Sequence, residues 1–299
     1  MSLAPASLLL TWYRANGRTL PWRTTRDPYR ILVSEIMLQQ TQVTRVLFFY
    51  EKWLGLFPSW NALARATNAT VIEAWAGLGY NRRALMLRDI AKQVLEKGVP
   101  TSEEEWRALK GIGPYSAAAL TSFSLHKRAL PIDTNIRRVI GRALLGIPYP
   151  DLKDDTRILP VLDAFTPRQG NYYDIPQALF DLATLICTKT EPKCLSCPLA
   201  PICNAKEGFL KQTHTLPLKG STKPNERIYA GKKYPDRIFR GRILGLVRTE
   251  PKKWTRDTIG PAVDPNFSKK EDLHWMHAMI DRLIKDQLIQ EKGGGLFLA

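Results

Sequence analysis

Every cysteine of the chain falls inside one seventeen-residue stretch, CTKTEPKCLSCPLAPIC, as Cys187, Cys194, Cys197 and Cys203. Thiols concentrated in this way, with none elsewhere, are arranged to bind metal and not to form disulfides. The C-x6-C-x2-C-x5-C spacing has one C-x2-C pair where zinc ribbons carry two, and no histidine interrupts it. Four soft thiolates suit zinc or an iron–sulfur cluster, and the residues alone leave both open. Lys189 and Lys193 lie between the first two cysteines, where they could meet phosphates.

A second stretch, LKGIGPYSAAALTSFSLHKRALPIDTN from Leu109 to Asn135, reads as helix, glycine turn and helix. Gly111 and Gly113 bracket Ile112, and Pro114 opens a small-residue helix. Such a turn aims several backbone N–H groups outward at the positive end of a helix dipole, which makes an anion site. A helix–hairpin–helix of this kind grips DNA phosphate without reading sequence. Asp133 follows at the start of another expected helix, Ile136 to Leu145. It can be a simple N-cap or a carboxylate held beside a bound backbone.

Charge agrees with a polyanionic partner. The chain carries 44 Lys+Arg against 28 Asp+Glu, a formal net charge of +16 over 299 residues. Residues 208–299 hold 18 Lys+Arg and 10 Asp+Glu, so +8 falls on the last 92 residues. No stretch approaches the ~20 apolar residues that span a bilayer. The N-terminus has neither the basic region nor the long apolar core of a signal peptide. A cytoplasmic, nucleoid-associated monomer is expected.

Helical periodicity dominates. Helices are expected at 6–16 (capped by Ser7), at Tyr29 to Tyr50 with a break near the middle, and at 59–67, 70–75 and 101–109. Others are expected at 136–145, 154–165 and 174–187, and no strand is convincing before residue 207. Within YRILVSEIMLQQTQV, Glu35 is flanked by Val33, Ile36, Met37 and Leu38. It lies either on an exposed polar face or in a pocket where desolvation raises its pKa. Gly77-Leu78-Gly79-Tyr80 is a tight turn before Arg82 and Arg83, and an exposed Leu–Tyr pair there suits a wedge into a base stack.

Hairpin, following aspartate and cysteine loop, in that order, resemble the endonuclease III superfamily of DNA glycosylases. The string SEIMLQQTQV narrows the resemblance to the A/G-mismatch adenine glycosylases, the MutY family, over roughly residues 8–207. The resemblance implies a mainly α fold: a six-helix helix-hairpin-helix glycosylase domain plus a [4Fe–4S] cluster domain. The four cysteines would ligate the cluster. It also implies Glu35 as catalytic acid, Asp133 as the second carboxylate and Tyr115 lining the active site. Tyr115 stands where the lyase members carry lysine, which implies a monofunctional enzyme. Gln40, Thr41, Leu78 and Tyr80 would probe the strand opposite the flipped base, Gly111 and Gly113 would grip phosphate, and Gln177 would contact adenine. The expected partner is double-stranded DNA with a mispaired adenine. Thymine or uracil mismatch glycosylases share the tyrosine but lack the Gln-Gln-Thr-Gln string, and a non-catalytic DNA-binding module would not need both carboxylates.

After residue 207 the chain departs from members that end in a Nudix-like domain. Residues 208–233 read as a basic linker, and 234–299 as a small winged-helix-like α+β domain. Helices are expected over Arg237 to Arg248, with Ile238 inward and Arg240 and Arg242 outward, and over Trp254 to Val263. A third is opened by a Ser268-x-x-Glu271 capping box, and a glycine-turn hairpin closes the chain.

Overall fold

The computed structural model describes residues 4–168, 170–215, 228–229 and 231–299. Contacts divide the chain into two compact units, residues 1–35 with 99–218 and residues 36–98 with 219–299. The boundary falls between Glu35 and Ile36, inside one helix. Half of the expected linker (216–227 and 230) lies outside the described residues. No helix among the described residues is long and apolar enough to cross a membrane.

The first unit holds α1 (Pro5–Asn16), the first part of α2 (Pro28–Leu38), and, after the excursion into the second unit, α7 (Glu103–Ala108), α8 (Pro114–Phe123), α9 (Thr134–Leu145), α10 (Asp155–Ile158), α11 (Asp174–Leu185) and α12 (Lys206–Leu210). Its core joins Leu9 of α1, Ile136, Val139 and Ile140 of α9, and Ile175, Leu179 and Leu182 of α11. Each fully buried side chain of this kind contributes about 1.5–3 kcal/mol. The prolines place two boundaries. α1 starts at Pro5 and its cap makes no side-chain bond, so Ser7 is inside the helix and is not its cap. The helix expected over 154–165 is α10 followed by a 3-10 stretch, Leu159–Ala164, because Pro160 lacks the N–H an α-helix would use.

The second unit holds α3 (Val43–Leu56), α4 (Trp60–Arg65), α5 (Asn68–Trp75), α6 (Arg82–Lys97), α13 (Asp236–Thr249), α14 (Gly260–Val263), α15 (Lys269–Lys285) and a hairpin of β1 (Ile289–Lys292) and β2 (Gly295–Leu298). Trp53 stands edge-on to Trp75 at 5.3 Å between ring centroids. Phe239 stands edge-on to Trp275 at 4.9 Å in the core shared by α13 and α15. The hairpin pairs Ile289 with Leu298, and its two-residue turn is Gly293-Gly294, both at positive φ, as a tight antiparallel turn demands. The C-terminal elements belong with residues 36–98: Asn68 Nδ2 donates to the Gln287 carbonyl at 3.3 Å, and Arg82 pairs with Asp286.

Several C-terminal expectations change. Only Gly260–Val263 of the stretch 254–263 is α-helical. Pro261 can stand only in a first turn, and the Trp254 carbonyl accepts from Leu296 N. Ser268 makes no side-chain cap; Asp272, not Glu271, takes the Ser268 N–H at 2.8 Å and also pairs with Lys232 at 2.6 Å. Ile238 is exposed and Phe239 buried, one position out of the expected phase. Arg240 and Arg242 are half-buried and engaged, with Asp286 and the Val263 carbonyl.

Candidate active site and thiol loop

In the first unit, α7 is capped by Ser102, whose hydroxyl accepts from Glu105 N at 3.2 Å. The chain then turns through Gly111, at φ 103, a backbone that favours glycine. Gly113 caps α8 without any side-chain bond, and nothing lies within 4 Å of where its Cβ would be. Gly113 and Pro114 are exposed, so the N-terminus of α8 is uncrowded there, and Pro114 has no N–H to leave unpaired.

Glu35 lies on α2, 6% exposed, so the pocket reading holds and the exposed face does not. Its Oε2 accepts from the Tyr115 hydroxyl of α8 at 2.9 Å. Burial pushes the Glu35 carboxyl up to about 7, with the nearby Asp133 charge adding to the rise and the Tyr115 hydroxyl and Arg23 opposing it. The same burial and the Glu35 charge raise the Tyr115 phenol well above its usual value. Such a glutamic acid is partly protonated at neutral pH and poised to donate a proton.

Asp133 caps α9. Its Oδ1 accepts from Asn135 N and Ile136 N, both at 2.8 Å, and its Oδ2 from Asn135 Nδ2 at 2.7 Å. Capping fixes the carboxylate without burying it. Asn135 Oδ1 in turn accepts from Arg138 Nη1 at 3.1 Å, and Arg138 holds the carbonyls of Ala183 and Cys187. A continuous chain of hydrogen bonds thus joins Asp133 to the first residue of the thiol loop.

Sequence reasoning overlooked two arginine centres in this unit. Asp181, fully buried on α11, receives both forks of Arg23 at 2.8 Å and the backbone N and Nε of Arg18 at 2.7 Å. This anchors the Leu20–Arg23 loop just before α2. Arg142 of α9, 2% exposed, binds the carbonyls of Pro148, Thr188 and Lys189 and approaches Cys187 Sγ at 3.5 Å. Its only sequence signal is its helical spacing from Arg138.

The four cysteines are free and line one pocket, partly open to solvent, with Arg142, Ile186 and Phe209. Burial pushes the Cys197 thiol up to about 12, and the neighbouring thiols add to that rise. Without a bound cation these thiols therefore stay protonated and neutral; as thiolates, four so close together would need positive charge among them. Among the described residues no group of three or more His, Cys, Asp or Glu side chains is gathered around a point that would hold one metal ion. All four thiols nevertheless line one pocket, and four soft donors gathered there fit either zinc or an iron–sulfur cluster.

In the second unit the α2–α3 break carries Gln39 and Gln40, both exposed, and Thr41, half-buried. Gln40 sits at φ 56. The turn before α6 has Gly77 at φ 104, Gly79 at φ 74 and Tyr80 at φ 50. The expected exposed Leu–Tyr pair is divided: Leu78 is buried and Tyr80 is 52% exposed. Arg83 is buried as well, whereas Arg82 is exposed. In the first unit, Gln177 on α11 is buried with its Oε1 lacking a hydrogen-bond partner among the described residues. A buried acceptor in that state costs about 1–3 kcal/mol, a cost that a ligand donor would relieve.

Hairpin, buried acid and capping aspartate together define a class. The family described as HhH-GPD superfamily base excision DNA repair protein matches residues 33–156. A solved thermostable thymine-DNA glycosylase superposes with a TM-score of 0.62 at 30% identity, covering 68% of this chain and 94% of its own. An endonuclease III in a non-covalent DNA complex gives 0.57 at 16% identity over 69% and 95%, which shows the shared fold. Within that class, the adenine DNA glycosylase of Mycolicibacterium smegmatis is 32% identical over 99% of this chain and 96% of its own length. The human adenine DNA glycosylase is 33% identical over 67% of this chain and 39% of its own. The chain belongs to the adenine DNA glycosylase family. The match to the Mycolicibacterium smegmatis relative includes residues 234–299.

Proposed function

We propose that the protein is a monofunctional glycosylase that hydrolyses the N-glycosidic bond of adenine paired with 8-oxoguanine or guanine in duplex DNA. The observation that carries this reading is the buried Glu35 carboxyl, bonded to Tyr115 and pushed up to about 7. Extruding the adenine from the duplex costs a few kcal/mol, least for a mispaired base. Adenine leaves poorly unless a ring nitrogen is protonated, and Glu35 donates that proton to N7. Asp133 stabilises the oxocarbenium-like sugar as the C–N bond breaks, and water completes hydrolysis to an abasic site. Tyr115 offers a hydroxyl already given to Glu35, not an amine for a Schiff base. The unpartnered Gln177 Oε1 is suited to accept from the exocyclic amine of adenine. Gly111, Gly113 and the free end of α8 hold phosphate. Gln40, Thr41 and Tyr80, with Leu78 behind it, face the opposite strand. The Gln39-Gln40-Thr41-Gln42 string favours adenine over the thymine reading that the 30%-identical structural relative would otherwise support.

Adenine release should depend on pH with a definite sign. The proton-donating form of Glu35 is lost as pH rises through about 7. kcat/KM is therefore expected to fall on the alkaline side of that value, approaching tenfold per pH unit. A profile still flat at pH 9 would remove Glu35 from the role of acid. Borohydride should trap no covalent DNA complex with the wild type; trapping, with strand cleavage, would contradict the monofunctional assignment.

Cys187, Cys194, Cys197 and Cys203 are proposed to hold a [4Fe–4S] cluster. When bound, it supplies four thiolate–iron bonds that close the loop, a structural and DNA-positioning role. The purified protein is expected to be brown, with about four irons and four sulfides per chain. Cys197→Ser should bleach it and weaken DNA binding. One equivalent of zinc in a colourless protein would overturn the cluster assignment.

A further inference from the structure

Arg83 is the second of the two arginines that follow the Gly77–Tyr80 turn. It is 8% exposed, and both terminal nitrogens of its guanidinium are bonded to protein. Nη1 donates to the carbonyls of Ile36 (2.8 Å), Met37 (3.2 Å) and Gln39. Nη2 donates to Thr41 Oγ1 (3.2 Å) and to the carbonyls of Leu78 (3.5 Å) and Gly79 (3.1 Å). The cation also lies over the rings of Trp75 and Tyr80, 5.3 and 5.4 Å from their centroids. All of these residues belong to the second unit.

Part of this pattern is a helix cap. The last carbonyls of α2 have no intrahelical partner, and a cation there matches the helix dipole. A cap does not explain the second fork, which leaves α2 for Thr41 and crosses to the 77–80 turn. The two segments share another property: each carries a non-glycine residue in the left-handed region, Gln40 at φ 56 and Tyr80 at φ 50. Such conformations persist only where surrounding bonds over-determine them. Arg83 supplies those bonds to both segments at once, through one rigid plane.

We propose that Arg83 is a positioning residue that sets the Gln39–Thr41 loop and the Gly77–Tyr80 turn in one geometry, and thereby determines how strongly the enzyme discriminates the base opposite adenine. This rests on the reading that the two segments face the opposite strand. Lysine is the informative replacement. Its ammonium can cap the end of α2 but cannot fork to both segments. Arg83→Ala would not separate the two roles, since it also strips the α2 cap.

The test is single-turnover adenine release by wild type, Arg83→Lys and Arg82→Ala, at saturating enzyme corrected by active-site titration, on duplexes with adenine opposite 8-oxoguanine, guanine or an abasic site. For Arg83→Lys, the rate ratio of the 8-oxoguanine to the abasic duplex is expected to collapse by about 10- to 100-fold. The 8-oxoguanine rate should fall most. Arg82→Ala, whose side chain is exposed, should shift affinity for all duplexes alike and keep the ratio. If Arg83→Lys lowers every rate by a common factor, or retains the wild-type ratio, Arg83 is only a structural cap and the proposal fails. If the wild type shows no preference among opposite bases, the reading of the two segments fails instead.

Discussion

Glu35→Gln is expected to bind mismatched DNA almost as the wild type does and to release no measurable adenine, a loss of at least ~10³-fold in the single-turnover rate. The amide keeps the shape and can still accept from the Tyr115 hydroxyl, but it cannot donate the proton to N7. The same variant should be more stable at alkaline pH, and the sign follows from the carboxyl's titration. Its folded-state value, about 7, lies above the ordinary 4.5, so the native state holds the proton more tightly than the unfolded chain. Stability from this group is fully present below 4.5 and is lost as pH rises through about 7. A shift of this size corresponds to about 3 kcal/mol. Glu35→Gln should therefore gain up to that amount at pH 8 and nothing below pH 4.5, as measured by denaturant unfolding at the two pH values. A mutant that is inactive and less stable at pH 8 would mean that the acid is not held in a desolvated pocket.

Asp133→Asn should also lose on the order of 10³-fold, with little change in fold. At ~4 Å and an effective dielectric of ~20, a carboxylate attracts an oxocarbenium-like sugar by about 4 kcal/mol. Tenfold in rate per ~1.4 kcal/mol converts that into roughly three powers of ten. Asparagine is a good N-cap. Its oxygen can keep the bonds from Asn135 N and Ile136 N, so α9 should remain intact. What disappears is the charge, together with the acceptor for Asn135 Nδ2. Thermal unfolding within a few degrees of wild type, beside a collapsed rate, is the expected pair of results. A rate within tenfold of wild type would leave Asp133 as a cap and nothing more.

The parts of this site that could be read from the sequence are those whose chemistry is local. Gly111 and Gly113 announce a turn because only certain backbones need glycine. Asp133 announces a helix start because an aspartate side chain reaches the next two or three N–H groups. Glu35 stood out because its neighbours are apolar, although periodicity could not choose between pocket and surface. The remainder depends on bonds between residues far apart in the chain. Asp181 is an ordinary helical aspartate until Arg18 and Arg23 reach it across more than 150 residues. Arg83 and Arg142 looked like two more cations in a chain with net charge +16, where the default for arginine is the solvated face. Both are instead buried carbonyl binders. The Leu–Tyr turn was correctly placed, but its sterics were not: with Gly77 and Gly79 both at positive φ, the turn tucks Leu78 inward and presents Tyr80.

The central claim is that adenine is the base removed. Its most direct test is a single-turnover comparison of four duplexes that differ only at one pair: A:8-oxoguanine, A:G, T:G and U:G. Free adenine released from the first two, with the T:G and U:G duplexes left intact, is the expected result. Residues 234–299 are proposed to supply phosphate contacts and not a pocket for the oxidised base, so the preference for 8-oxoguanine over guanine should be weaker than in Nudix-bearing relatives. Release of thymine or uracil at a rate equal to or above that of adenine would contradict the account, and would place the protein with the thymine-mismatch glycosylases whose fold it shares.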